Sequence, residues 1–149
     1  MKTDYNLMDA SGQLKNGRVQ TFFKDGSLCT EGEYANGKKT GIWKYYLLNG
    51  RLKATGLFAH DKMVGEWQWW RENGQLLQTG TFDVLEQKTG LWKRYHSNGT
   101  LLDEGEFRQN KPIGEWKTYN AEGILIKTTR YKKNGQGLNA SDYYKYLLF

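Results

Sequence analysis

The chain is 149 residues long, 38% hydrophobic and 15% aromatic, and carries 22 Lys and Arg against 16 Asp and Glu for a formal charge of +6. A chain of this size holds one core, so a single domain is expected. The positive balance favours acidic partners or surfaces but falls short of a nucleic-acid signature, and a lone cysteine, Cys29, excludes an internal disulfide.

In chain order, Met1 to Asn6 offers no apolar stretch of the roughly seven residues that a signal peptide needs, and no later segment approaches a membrane-spanning length. A cytoplasmic protein is expected, and the single thiol fits a reducing compartment. Ser11-Gly12-Gln13-Leu14 is a partial echo of a turn-plus-Leu element that recurs along the chain, so residues 1–16 are taken as an N-terminal partial repeat or cap.

From Gly17 onward one pattern is written five times, starting at Gly17, Gly41, Gly65, Gly90 and Gly114. The starts are 24 residues apart (17 to 41, 41 to 65, 90 to 114), with one extra residue between the third and fourth. Counting each starting Gly as position zero, position two holds Val19, Trp43, Trp67, Trp92 and Trp116, and position five holds Phe22, Tyr46, Trp70, Tyr95 and Tyr119. Position nine is always Gly and position eleven always Leu. Position fifteen is Gly in four copies (Gly32, Gly56, Gly80, Gly105), and position seventeen is Tyr34, Phe58, Phe82, Phe107 and Tyr131. Such a period marks an array of units that cannot bury their apolar faces alone. Cys29 shares position twelve with Leu77, Leu102 and Ile126, which reads as a small buried hydrophobe.

Trp, Tyr, Phe and Thr enrichment, a single proline and Asn-Gly or Asp-Gly dipeptides flanked by apolar residues predict strands and tight turns, one hairpin per repeat. If Asn49-Gly50 and its equivalents form two-residue turns, positions summing to seventeen face each other. Trp43 then stands opposite Gly56, Trp67 opposite Gly80, Trp92 opposite Gly105 and Gly41 opposite Phe58, each large ring covering a glycine of its own hairpin. By the same register, positions two, four, eleven, fifteen and seventeen share one face, while position five points to the other. The polar inter-repeat segments join the hairpins, so the fold expected is all-β: an elongated, curled, single antiparallel β-meander of five hairpin repeats. Ten strands at roughly 4.8 Å make a sheet about 45 Å long, which must twist.

The repeats span residues 17–137. Residues 138–149 break the pattern and are expected to cap the last hairpin, with Ser141 and Asp142 suited to open a short helix.

Gly-x-Trp-x-x-Tyr-x-x-Asn-Gly-x-Leu-x-x-x-Gly-x-Phe, as in Gly90 to Phe107, resembles the bacterial variant of the MORN repeat, and the match covers roughly residues 17 to 131. The chain is similar to the antitoxin-like branch of that family, whose attributed role is neutralising a toxin by binding it. The resemblance implies an elongated antiparallel sheet and a binding role without catalytic residues. Other MORN proteins are associated with phospholipid surfaces or scaffolding. Segments such as Thr40-Gly41-Ile42-Trp43 also resemble the choline- or glucan-binding repeats of bacterial surface proteins, but those are shorter and usually place Trp directly after Thr-Gly, where this chain has Ile42 or Thr81.

Catalytic and cofactor patterns are missing from the sequence. His60, His96 and Cys29 fall in different repeats at unlike positions, so no metal site is implied. Neither a nucleophile beside a base nor a phosphate-cradle ending occurs, and no cofactor is implied. Glu31 with Glu104, and Glu33 with Glu106, recur at equivalent positions and read as charged strand positions near solvent. Two features remain for binding. Lys38, Lys62, Lys88 and Lys111 recur in the inter-repeat turns, where they would line one edge of the sheet at roughly 10 Å intervals. Tyr45, Trp69, Arg71, Arg94 and His96 vary where their neighbours repeat, and their types anchor interfaces. The sequence therefore predicts a non-enzymatic binding module holding a protein partner, a toxin in the sharpest version. An anionic lipid surface met by the Lys-lined edge ranks second, and nucleic acid ranks below both. The oligomeric state is not specified by the pattern.

Overall fold

A computed structural model describes residues 7–133. It is all-β, with ten strands: β1 (Gly17–Phe22), β2 (Leu28–Ala35), β3 (Lys38–Tyr46), β4 (Leu52–Ala59), β5 (Lys62–Trp70), β6 (Leu76–Phe82), β7 (Lys88–Tyr95), β8 (Leu101–Arg108), β9 (Lys111–Tyr119) and β10 (Leu125–Tyr131). They form one open antiparallel meander in chain order, β1 to β10. Residues 7–16 fold back on themselves through a Met8 to Leu14 bridge, and the Gly37 amide donates to the Lys15 carbonyl at 2.7 Å. The cap expected over residues 138–149 lies outside the described residues.

The expected pairings are present: Gly41 with Phe58, Trp43 with Gly56, Trp67 with Gly80 and Trp92 with Gly105. The turns that produce them are different from those expected. In the second repeat Gly50 N donates to Leu47 O and Leu47 N to Arg51 O, so Leu48 and Asn49 are the central residues and Gly50, at φ 84, closes a longer loop. Such a loop shifts the pairing by one, to Tyr46 with Leu52. A bulge at Lys53 then restores it at Tyr45 with Ala54. Because the Leu of position eleven sits opposite position five, Leu52, Leu76 and Leu101 lie with Tyr46, Trp70 and Tyr95 on the face away from Trp43. The expectation that this Leu shares the Trp face is corrected. Cys29 occupies the same bulge position in the first repeat and is only half-buried.

The tight two-residue turns lie between repeats instead. Asn36-Gly37, His60-Asp61 and Gln109-Asn110 all have positive φ, the type I′ geometry that matches strand twist. The third inter-repeat loop holds the extra residue and runs from Asp83 to Gln87, with Glu86 at φ 61. Four of the five starting glycines share a reason: Gly41, Gly65, Gly90 and Gly114 all lie near φ 65, in a bulge where the following hairpin joins the preceding one.

The core is a row that alternates across the strands: Gly32, Trp43, Gly56, Trp67, Gly80, Trp92, Gly105, Trp116. Trp43, Trp67 and Trp92 each have a glycine on both sides, Trp116 has Gly105 on one side and Thr129 on the other, and every ring of the row leans on the earlier glycine. A Cβ on Gly32 would meet Trp43, one on Gly56 Trp67, one on Gly80 Trp92 and one on Gly105 Trp116. Trp-over-Gly packing therefore links neighbouring repeats and does not lie inside each hairpin as the spacing predicts. The indole Nε1 completes the link by donating to a carbonyl of the earlier strand, Trp43 to Glu33 and Trp67 to Leu57, both at 3.1 Å. Trp43 and Trp67 are 2% exposed and Trp92 3%. Burying rings of roughly 200 Å² at about 25 cal/mol per Å² contributes on the order of 5 kcal/mol gross for each Trp.

Candidate binding surface

The face that carries the Trp row is built from the inside out by aromatic contacts. Phe58 stands edge-on between Trp43 and Trp67, Phe82 between Trp69 and Trp92, and Phe107 between Trp92 and Trp116, with centroid distances of 5.0 to 6.3 Å. Position four adds a second tier. Tyr45 lies 6.3 Å from Trp43 and 6.5 Å from Trp67, and Trp69 is stacked between Trp67 and Trp92 at 5.9 Å from each. Tyr45 and Trp69 are half-buried, so they seal the Trp row below and still meet solvent.

In the fourth repeat Arg94 replaces the ring of position four. Its guanidinium forks onto Asp103 of the facing strand, with Nε donating to Oδ1 at 3.0 Å and Nη2 bonded to Oδ2. The Asp103 hydrogen bonds hold the Arg94 pKa above its ordinary value against the effect of burial. Asp103 itself is 7% exposed. A buried carboxylate in a forked, charge-assisted pair is well satisfied.

Lysines cover the rings next to the turns. Lys39 Nζ lies 4.9 Å from the Trp43 centroid and 5.1 Å from that of Phe58, and donates to Tyr45 Oη at 3.1 Å. Lys88 Nζ lies 4.7 Å from Trp92 and 5.0 Å from Phe107, and Lys15 Nζ 5.2 Å from Tyr34. Contacts of this kind contribute about 0.5 to 2 kcal/mol each. Burial, and secondarily Arg94, pushes the Lys88 pKa below its ordinary value.

The sequence-predicted residues are thereby sorted into three groups. Tyr45, Trp69 and Arg94 share the ring face. Arg71 and His96 sit in the loop row and serve as ties between repeats: Arg71 Nη2 donates to Tyr95 O at 2.9 Å, and His96 Nε2 donates to Tyr119 O at 2.9 Å. Asn49, Asn73 and Asn98 add parallel ties, their Nδ2 atoms donating to Glu72, Ser97 and Ala121 carbonyls. The five residues thus form no single patch. The lysine row is also corrected. Lys38, Lys62 and Lys111 pair with Ala35, Ala59 and Arg108 at the strand starts, but the extra loop residue moves Lys88 into the register of Lys39, onto the ring face.

The opposite face holds the recurrent acids. Glu31 accepts from Tyr46 Oη at 2.7 Å and Glu104 from Tyr119 Oη at 3.3 Å. Burial, and then Glu31, raises the Tyr46 phenol to about 12. Ile42 and Leu57 face each other across β3 and β4 on this side, 64% and 43% exposed.

Sequence reading missed Lys39 and Asp103. A signal for the first existed, since Lys15, Lys39 and Lys88 all stand two residues before a starting Gly. Asp103 carried none, because its role depends on Arg94 across the hairpin. Among the described residues no group of three or more His, Cys, Asp or Glu side chains comes together, and no helix is long and apolar enough to cross a membrane.

A single-layer sheet of stacked hairpins, buried on one face by its own rings and cations, defines a hairpin-repeat protein. The MORN repeat variant matches residues 15–36, 63–83, 88–109 and 112–133, and the chain belongs to that family. Residues 37–62, outside those matches, have the same geometry, with Trp43 on Gly32 and Trp67 on Gly56. A search of curated proteins found no match. Among solved structures the chain is similar to the crystal structure of a point mutant of S. aureus TarM in complex with Fondaparinux, alpha-GlcNAc-glycerol and UDP. That similarity has 10% identity and a TM-score of 0.41, over 65% of this chain and 19% of that one.

Proposed function

We propose that this chain is a non-enzymatic module that binds a protein partner across its ring face, and that in its sharpest form it is a bacterial antitoxin or immunity protein acting by direct binding. The observation that carries this reading is the half-exposed second tier, Tyr45, Trp69 and Arg94, lying side by side over a buried Trp row with no other described element packed on it. Aromatic and Arg side chains held rigid lose little entropy on docking and anchor interfaces well. Docking on an anionic membrane through the turn-edge lysines has less to stand on, since Lys88 has left that row.

The test is affinity capture from the native cell, with the product of the neighbouring reading frame as the first partner tried. Tyr45→Ala, with its fold verified by circular dichroism, should lose the partner, while Lys62→Ala on the turn edge should retain it. Loss with Lys62→Ala alone would move the reading to the turn edge. If the adjacent product is neither bound nor toxic, the antitoxin form of the reading fails.

A further inference from the structure

We propose that the ring face receives an acidic protein segment, whose carboxylates are taken by the Lys39 and Lys88 ammonium groups. This rests on the reading that a protein partner docks on this face, and adds the chemistry of that partner.

The strand pairing sorts charge between the two faces. On the opposite face, acids and bases alternate and meet: Lys93 with Glu104 at 3.9 Å, Lys117 with Glu115 at 3.7 Å and Arg130 with Glu115 at 3.5 Å. On the ring face, Asp103 is the one carboxylate among the described strand residues, and Arg94 occupies it. Lys39 and Lys88 share that face and have rings where a counter-charge would stand. A ring quadrupole attracts an ammonium group without neutralising it. A half-desolvated charge interacts more strongly with an incoming carboxylate than a fully hydrated one does, because water screens it less. The downward shift of the Lys88 pKa agrees with this, since a counter-charge would reverse it.

Geometry narrows the partner further. Lys39 is on β3 and Lys88 on β7, four strands apart, which is roughly 19 Å at the usual strand spacing. Tyr45 and Trp69 lie between them in the ring stack. An extended segment covers that span in about six residues. The fitting ligand is therefore a segment with acids about six residues apart and apolar side chains between, crossing the strands. Anionic lipid or single-stranded nucleic acid shares the charge but lacks that spaced pattern.

The test is NMR of the lysine ε-methylene signals in the full chain, titrated with poly-L-glutamate and, separately, with phosphatidylserine vesicles and single-stranded DNA. Poly-L-glutamate should shift the Lys39 and Lys88 signals saturably. The double variant Lys39→Met, Lys88→Met should weaken binding by at least about tenfold, while Lys44→Met, Lys93→Met on the opposite face changes it by less than about twofold. Methionine keeps an apolar stem over the rings, and an unchanged unfolding midpoint verifies the fold. Shifts centred on other lysines, or equal loss in both double variants, would overturn the proposal. Engagement of Lys39 and Lys88 by vesicles or DNA but not by poly-L-glutamate would overturn it in favour of that class of partner. If poly-L-glutamate fails while a native partner still protects Tyr45 and Trp69, only this inference falls.

Discussion

Trp67 lies flat on Gly56, so a Cβ at residue 56 would overlap the indole. The two residues belong to consecutive repeats, and their contact, reproduced at Gly32, Gly80 and Gly105, ties the array together. Gly56→Val should therefore destabilise the protein by about 1 to 3 kcal/mol, the usual overpacking range. The displaced ring should be Trp67, seen as a shift of its indole N–H, whose bond to Leu57 O would be broken. Urea unfolding and the assigned indole spectrum test this. A shift confined to Trp43 would restore the within-hairpin picture.

Asp103→Ala should cost about 1 to 3 kcal/mol, because it strands Arg94 beside Lys88 without a counter-charge. Replacing both members of the pair, Arg94→Met with Asp103→Leu, should recover most of that loss. Additive losses in the double-mutant cycle would show that the pair is not coupled.

Tyr46 supplies a pH-dependent term. Its folded pKa, about 12, stands above the ordinary 10.0, so the stability it contributes is complete below pH 10 and is lost as the pH rises towards 12. A tyrosine absorbance titration should show one phenol ionising late. Glu31→Gln should bring it down, since the Glu31 carboxylate is the second cause of the shift after burial. Ionisation together with the other tyrosines in both proteins would contradict the Tyr46–Glu31 bond.

The loop ties offer a graded test. Asn73 accepts from Gln75 N and donates to Ser97 O. Asn73→Asp keeps the first bond and loses the second, whereas Asn73→Ala loses both. Denaturant midpoints should fall in the order wild type, Asp, Ala, by about 1 kcal/mol per bond or less at this exposed site. Equal midpoints for Asn and Asp would show that the inter-loop bond contributes nothing.

Much of this fold was legible in the chain. The period gave the strand count, and the Trp and Gly positions gave the pairing partners, because each pair is a property of one hairpin. The loop type was less accessible: Asn-Gly suits a two-residue turn as well as the end of a longer loop, and the bulge at position twelve cancels the difference in register. The glycine a Trp covers is the one of the preceding repeat, beside the bulge where two hairpins join, and not the one it faces in regular register within its own hairpin, a choice invisible to spacing alone. The surface was harder to read. Tyr45, Trp69 and Arg94 came together because position four alternates onto the ring face. Arg71 and His96 differ in type yet reach the same kind of carbonyl, that of position five in the next repeat. A single inserted residue moves Lys88 off the turn edge and onto the ring face, a shift that the repeat spacing does not reveal.

The central claim is that a partner docks on the ring face, and side-chain protection measures it most directly. Hydroxyl-radical footprinting of the protein, alone and with the captured partner, should show Tyr45 and Trp69 losing reactivity while Ile42 and Leu57 on the opposite face keep theirs. Protection of Ile42 and Leu57, or of the Lys38, Lys62 and Lys111 edge, with Tyr45 and Trp69 unchanged, would contradict the account.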